Sequence, residues 1–189
     1  MKHEQLITEL NTIVETACKQ PSNIYGYGIW SHHIVHVVKY AKLLASHLNA
    51  DQEVVEIAAI LHDYASIKNK DFVTEHHIIG AQLAGEILTN HGYPMDKIRL
   101  VQNCIICHRG SKPQERTTPE AHCVASADGM AHIDQVVSLL YSVYKEQNMG
   151  IEAGRIWVKS KLERTWNKLC PQAQEIVRNK YQAAMAILG

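Results

Sequence analysis

The sequence predicts an all-α protein, a single compact helical domain over residues 1–189. Three observations carry that expectation. Apolar residues recur at spacings of three and four along most of the chain. Alternation with a period of two is absent beyond short runs. The 189 residues, 46% hydrophobic and 20% charged, suit one core and are short for two.

The elements follow in order. Residues 3 to about 18 place Leu6, Ile7, Leu10, Ile13, Val14 and Ala17 on one stripe, and Pro21, Gly26 and Gly28 then enforce a turn. A second helix runs from about Ser31 to Leu48, with Val37, Val38, Ala41, Leu44 and Leu48 inward. The third follows in "NADQEVVEIAAILHD", capped by Asn49 or Asp51. It becomes apolar on almost every face after Ile57, which places it centrally. Tyr64 to Phe72, polar and lysine-bearing, reads as a loop. Helices follow over Thr74–His91, closed by Gly92 and Pro94, and over Asp96–Cys107. "HRGSKPQERTTPE" is rich in breakers and charge and reads as an active-site loop. "EAHCVASADGMAHIDQVVSLLYSVYKEQ" gives one or two helices with a break at Gly129. Two more, over 133–189, pack on the rest and divide near Cys170-Pro171, where proline sits in the first turn of the last helix.

Charge and cysteine content narrow the function classes. Lysine plus arginine equals aspartate plus glutamate, at 19 each, so no global basic field points to nucleic acid. The five cysteines, odd in number and scattered, do not form a disulfide framework. "MKHEQLITEL" carries acidic residues where a signal peptide carries its apolar core, and no run approaches the roughly 20 apolar residues that cross a bilayer. A cytoplasmic protein with no membrane and no nucleic-acid partner is expected. The apolar helical faces leave a homodimer open, although no heptad seam fixes an interface.

Twelve histidines stand out, because imidazole binds metal and moves protons near neutral pH. His62 and Asp63 end an apolar run, where a desolvated carboxylate is costly unless a cation compensates. A divalent metal does so, accepting imidazole nitrogen and carboxylate oxygen together. His32 and His33 open the second helix, His76 and His77 open another, His108 closes a third, and Asp128 lies among small apolar residues. His36 and His47 read as helix surface or edge, His91 as a helix C-terminal residue and His3 as N-terminal. His122 and His132 flank Asp128 and are candidate hydrogen-bond partners for it. "CIICH" lacks a second ligand pair for structural zinc, so Cys104 and Cys107 read as core thiols.

"SHHIVHV", then "LHD", then "ASAD" resembles the HD-domain superfamily of metal-dependent phosphohydrolases, over roughly residues 30–130. The resemblance implies that superfamily's all-helical fold and a metal site of His33, His62, Asp63 and Asp128. A subset of the family adds two histidines for a second ion. "EHHIIGAQLAGEIL" is similar to its segment, matching His76 rather than His77, and His108 after "LVQNCIIC" matches the next ligand. One divalent ion (Mn, Fe, Mg, Co, Ni or Zn) is implied, and a second, with Asp63 bridging the two, if both added histidines serve. The doublet is followed by Tyr64, Ala65 and Ser66, and the "GYP" at Gly92–Pro94 precedes His108, so the cyclic-dinucleotide phosphodiesterase signature is not matched.

The implied reaction is hydrolysis of a small phosphomonoester or nucleotide by metal-activated water. Asp63 and Asp128 would orient that water or receive its proton. Among Lys68, Lys70, Arg109, Lys112 and Arg116 in the neighbouring loops, Arg109 and Lys112 are expected to meet phosphate charge, because they directly follow His108. Glu75 could orient an imidazole, and Tyr25 or Tyr27 could line the pocket mouth. Two other readings fit the same chain. One is a di-iron oxygenase of the same fold that cleaves a C–H or C–P substrate with O₂. The other is a non-catalytic helical signalling module, against which the complete quartet of ligands argues.

Overall fold

The structure is a computed structural model that describes residues 3–110 and 115–189. Ten α-helices make up most of it, and the described residues contain no β-strand. In chain order these are α1 (His3–Cys18), α2 (Val35–Leu48), α3 (Gln52–Leu61), α4 (Tyr64–Lys68), α5 (His76–Asn90), α6 (Met95–Cys107), α7 (Pro119–Asp134), α8 (Val136–Tyr141), α9 (Ile151–Lys168) and α10 (Pro171–Leu188).

Helix α3 is the centre, as its unbroken apolar run requires. Every residue from Val54 to Leu61 is buried, and α1, α2, α6 and α7 pack around it. Its start is set by Asp51, whose carboxylate accepts from the backbone N–H groups of Glu53 and Val54 at 3.0 and 3.2 Å. Helix α7 is nearly as enclosed, lying against α2, α6, α9 and α10. Thr118 caps it through Ala121 N–H, and Pro119 occupies its first turn.

Two expectations are corrected. Tyr64–Phe72 is not a loop but α4 followed by a 3₁₀ turn at Lys70–Phe72. Ala65, Ser66 and Ile67 are buried there, so tertiary packing holds a helix too short to announce itself by period. Nor does α7 break at Gly129. It continues to Asp134, and Gly129 instead lets α9 approach, since a β-carbon there would meet Leu169 Cδ2 at 2.6 Å and Thr165 Cγ2 at 3.0 Å. The break falls at Gln135, six residues later.

Ahead of α2, Trp30–Ile34 forms a π-helical turn, closed by Val35 N–H to Trp30 carbonyl, and it carries His33 inward. The C-terminal ends of α3 and α6, the N-terminal end of α5, this π turn and the middle of α7 meet at one place.

Candidate metal centre

Each histidine at this junction is held by the helix end that bears it. His62 follows the last residue of α3 and its Nδ1–H donates to the Ala59 carbonyl at 2.8 Å. His108 ends α6 in the same way, donating to Ile105 carbonyl at 2.6 Å. His76 opens α5 and donates to Val73 carbonyl at 2.7 Å. These bonds fix the tautomer and leave each Nε2 lone pair free to face inward, the arrangement in which imidazole ligates a metal.

The Nε2 atoms then face one another. His33 and His62 approach at 3.3 Å, and His76 and His108 at 3.1 Å. Between neutral rings in this tautomer the His76–His108 contact is lone pair against lone pair, which a cation between them relieves. Ligands held about 2.1 Å from one ion lie about 3.0–3.5 Å apart at right-angled or tetrahedral positions, and the observed separations match. The α3 and α6 C-termini add negative ends of two helix dipoles, which favour positive charge at the same point.

The donors form two groups. His33, His62 and Asp128 make one, and Asp63, His76 and His108 the other, with the donor atoms of each within 4.8 Å of one another. Asp63 serves both. Its Oδ2 lies 3.4 Å from the Nε2 of both His33 and His62, while Oδ1 lies 3.4 Å from His76 and 3.8 Å from His108. Asp63 thus presents one carboxylate oxygen to each group, and would serve both if each held an ion. The two groups can therefore hold one or two divalent metal ions.

Asp128 is divided differently. Its Oδ1 faces His33 at 3.4 Å and His132 at 3.2 Å, and its Oδ2 is ion-paired to Lys168. The His132 ring stacks on His33, with centroids 4.6 Å apart. Left to protons alone, the cluster is frustrated. Burial lowers the pKa of His62, but Asp63 and Asp128 outweigh it and raise it to about 9. Burial and the charge of His62 push His108 down to about 3. Burial raises both aspartates, yet His62 and the other rings around Asp63, and Lys168 and His132 beside Asp128, hold the two carboxyls well below their usual range.

The cluster floors a cavity of about 650 Å³. Tyr25 and Arg109 line it, and an Arg109 guanidinium nitrogen donates to the Thr74 carbonyl. Tyr27 does not line it and donates instead to Glu15 at 2.9 Å. Lys68 and Lys70 are outside the lining and solvent-exposed, and Arg116 donates to Cys107 carbonyl at 3.0 Å. Lys112 lies outside the described residues. His77 is buried and belongs to neither group, with Glu75 3.9 Å from its Nε2, and the Val73 carbonyl holds His76. His122 is exposed, because six residues of helix turn it away from Asp128, whereas His132 at four residues shares its face. His36, partly exposed at a helix edge, is paired with Asp134 at 3.0 Å, while His3 reaches Glu53 and Glu56. Cys104 and Cys107 are buried thiols of the core.

Sequence reasoning missed the opposite wall. Trp157, Lys161, Arg164, Thr165 and Lys168 of α9 all line the cavity. Their spacing of i, i+4, i+7, i+8 and i+11 was visible, but a lysine- and arginine-bearing helix face ordinarily signals solvent.

Comparison with known proteins agrees with this geometry. Residues 30–133 match the family model described as the HD domain. The chain is 29% identical over 107 residues to ribonuclease Y of Petrotoga mobilis, covering 57% of this chain and 19% of that protein. It is 30% identical over 84 residues to an uncharacterized protein of Clostridium beijerinckii, covering 43% and 54%. It thus spans about a fifth and about half of these two relatives. Among solved structures, Bacillus subtilis YpgQ superposes with a TM-score of 0.75 at 17% identity, covering 100% of this chain and 94% of that one. The same protein in complex with ADP gives 0.66 at 19%, covering 96% and 91%. At such identities the likeness is one of fold. No helix of the described residues is long and apolar enough to cross a membrane.

Proposed function

The chain belongs to the HD-domain family, and from that premise we propose that it is a metal-dependent phosphohydrolase acting on a small phosphomonoester or nucleotide. The observation that carries the reading is Asp63, whose two oxygens address two separate histidine-containing groups. The proposed ligands are His33, His62 and Asp128 on one side, His76 and His108 on the other, and Asp63 between them. When bound, such ions supply Lewis acidity at a phosphoryl oxygen and lower the pKa of a water toward neutrality.

The chain's own groups do the rest. Asp63 and Asp128 Oδ1 are the carboxylate atoms that orient the attacking water or take its proton, with His132 Nε2 behind Asp128 at 3.2 Å. Lys168 holds the other oxygen of Asp128 and so fixes which one faces the cage. Arg109, adjacent to His108 and anchored to Thr74, meets phosphate charge, and Lys112 is proposed for the same task. A nucleotide is favoured by the fold likeness to YpgQ, which was solved with ADP. All five cysteines are free, four of them buried, which suits a reducing cytoplasm.

The test is metal analysis of the purified protein joined to a phosphatase panel with Mn, Mg, Fe, Co and Ni. Phosphate release under anaerobic conditions supports hydrolysis. Bound iron with O₂ consumption and no anaerobic release would replace it with the oxygenase reading, which would draw on the same six ligands.

A further inference from the structure

Helix α9 lies beyond the residues matched by the family model, yet it builds the wall facing the cage. Three of its cations share that wall, and their situations differ. Lys168 has a side chain only 8% exposed and is committed, its ammonium shared between Asp128 Oδ2 and the His108 carbonyl at 3.3 Å. Lys161, one turn from Arg164, forms no ion pair or hydrogen bond among the described residues, and its ammonium sits over the Trp157 ring at 6.0 Å. Arg164, solvent-exposed at the cavity rim, likewise has no acidic partner among them. Among the described residues, the acidic side chains lining the cavity apart from Asp63 and Asp128 come down to Glu146.

A half-buried ammonium that no carboxylate contacts gains from a ligand anion brought within ion-pair distance. Two cations one helical turn apart, about 5–6 Å between their β-carbons, match the near-double charge of one phosphate group. A single carboxylate would satisfy one and strand the other. The cavity, at about 650 Å³, also exceeds what a lone phosphate over the cage would fill and lies within the usual range of small-molecule sites.

Building on the hydrolase reading, we propose that Lys161 and Arg164 form a subsite for a second phosphate, linked in series to the one that lies over the cage. The substrate then carries at least two consecutive phosphates, and α9 selects it over a monophosphate of the same body. No bond changes at this subsite; it binds and aligns.

Calorimetry on the manganese-loaded full chain tests it, with AMP against ADP and inorganic phosphate against pyrophosphate. The wild type is expected to bind the two-phosphate member of each pair at least about tenfold more tightly. K161M and R164Q should each shrink that ratio about fivefold or more, while K161R retains it. A ratio near one in the wild type, or a ratio unchanged in both K161M and R164Q, overturns the subsite. Because binding is read apart from turnover, an Arg164- and Lys161-dependent preference with no phosphate release under any metal would sustain the subsite and sink the hydrolase reading instead.

Discussion

At its N-terminus α3 closes its charges within the chain. Asp51 caps the helix, and Lys97 reaches both Asp51, at 3.1 Å, and Glu53. At its C-terminus, one helix of 10 residues away, His62 and Asp63 meet three further imidazoles and a second carboxylate, and among the described residues Lys168, on Asp128, is the one lysine or arginine ion-paired there. The first end is a finished structural cap. The second holds Nε2 atoms against one another, an opposition that a cation entering from outside relieves. The difference separates charge placed for stability from charge placed for chemistry along a single helix.

The largest effect should come from breaking the second end. Asp63→Ala is expected to remove bound metal from both groups and to lower turnover about a thousandfold or more, with helical content by circular dichroism unchanged. His62→Ala should act in the same direction. Retention of metal and turnover in either variant would remove the distinction between the ends.

Chelation sharpens the comparison without a mutation. An ion present at a hundred times its Kd stabilises the fold by about 2.7 kcal/mol, so EDTA should lower Tm and restored manganese should return it. The same shift should appear in an Asp51→Ala protein, since that residue belongs to the other end. Asp51→Ala itself should cost about 1–2 kcal/mol in denaturant unfolding while metal content and turnover stay within about twofold of wild type.

The smallest effect concerns acid. Burial opposes ionisation of Asp51, but the Val54 N–H and Lys97 outweigh it and lower its pKa. Lys97 does the same for Glu53 against its burial. Such groups contribute stability above their unfolded pKa values near about 4, and that contribution disappears as pH falls through the lower folded values. A D51N/E53Q protein keeps an effective cap but should lose less stability between pH 5 and 3 than wild type, by less than about 1 kcal/mol. An unchanged acid profile would mean that Lys97 adds nothing at this end.

How far the sequence anticipates these ends depends on range. The apolar periods of α1, α2 and α3 are local and readable, and so is the cap at Asp51. The order His33, His62–Asp63, His76, His108, Asp128 could be read from the resemblance because each lies within a recognisable local segment. The sharing of Asp63 between two groups came from the resemblance alone and carries no local mark, since it depends on how helix ends meet. Helix α4 escaped notice because five residues are too few to show a period. The Lys168–Asp128 pair spans 40 residues and carried no local mark, so the wall of α9 looked like solvated surface.

The central claim is that the C-terminal end of α3 is completed by metal. Anomalous diffraction from crystals grown with manganese tests it most directly. The account predicts an anomalous peak in contact with Asp63, bounded by His33, His62 and Asp128 or by His76 and His108, and lost in the Asp63→Ala crystal. A catalytically active protein with no peak at Asp63, or with its metal bound elsewhere, would contradict it.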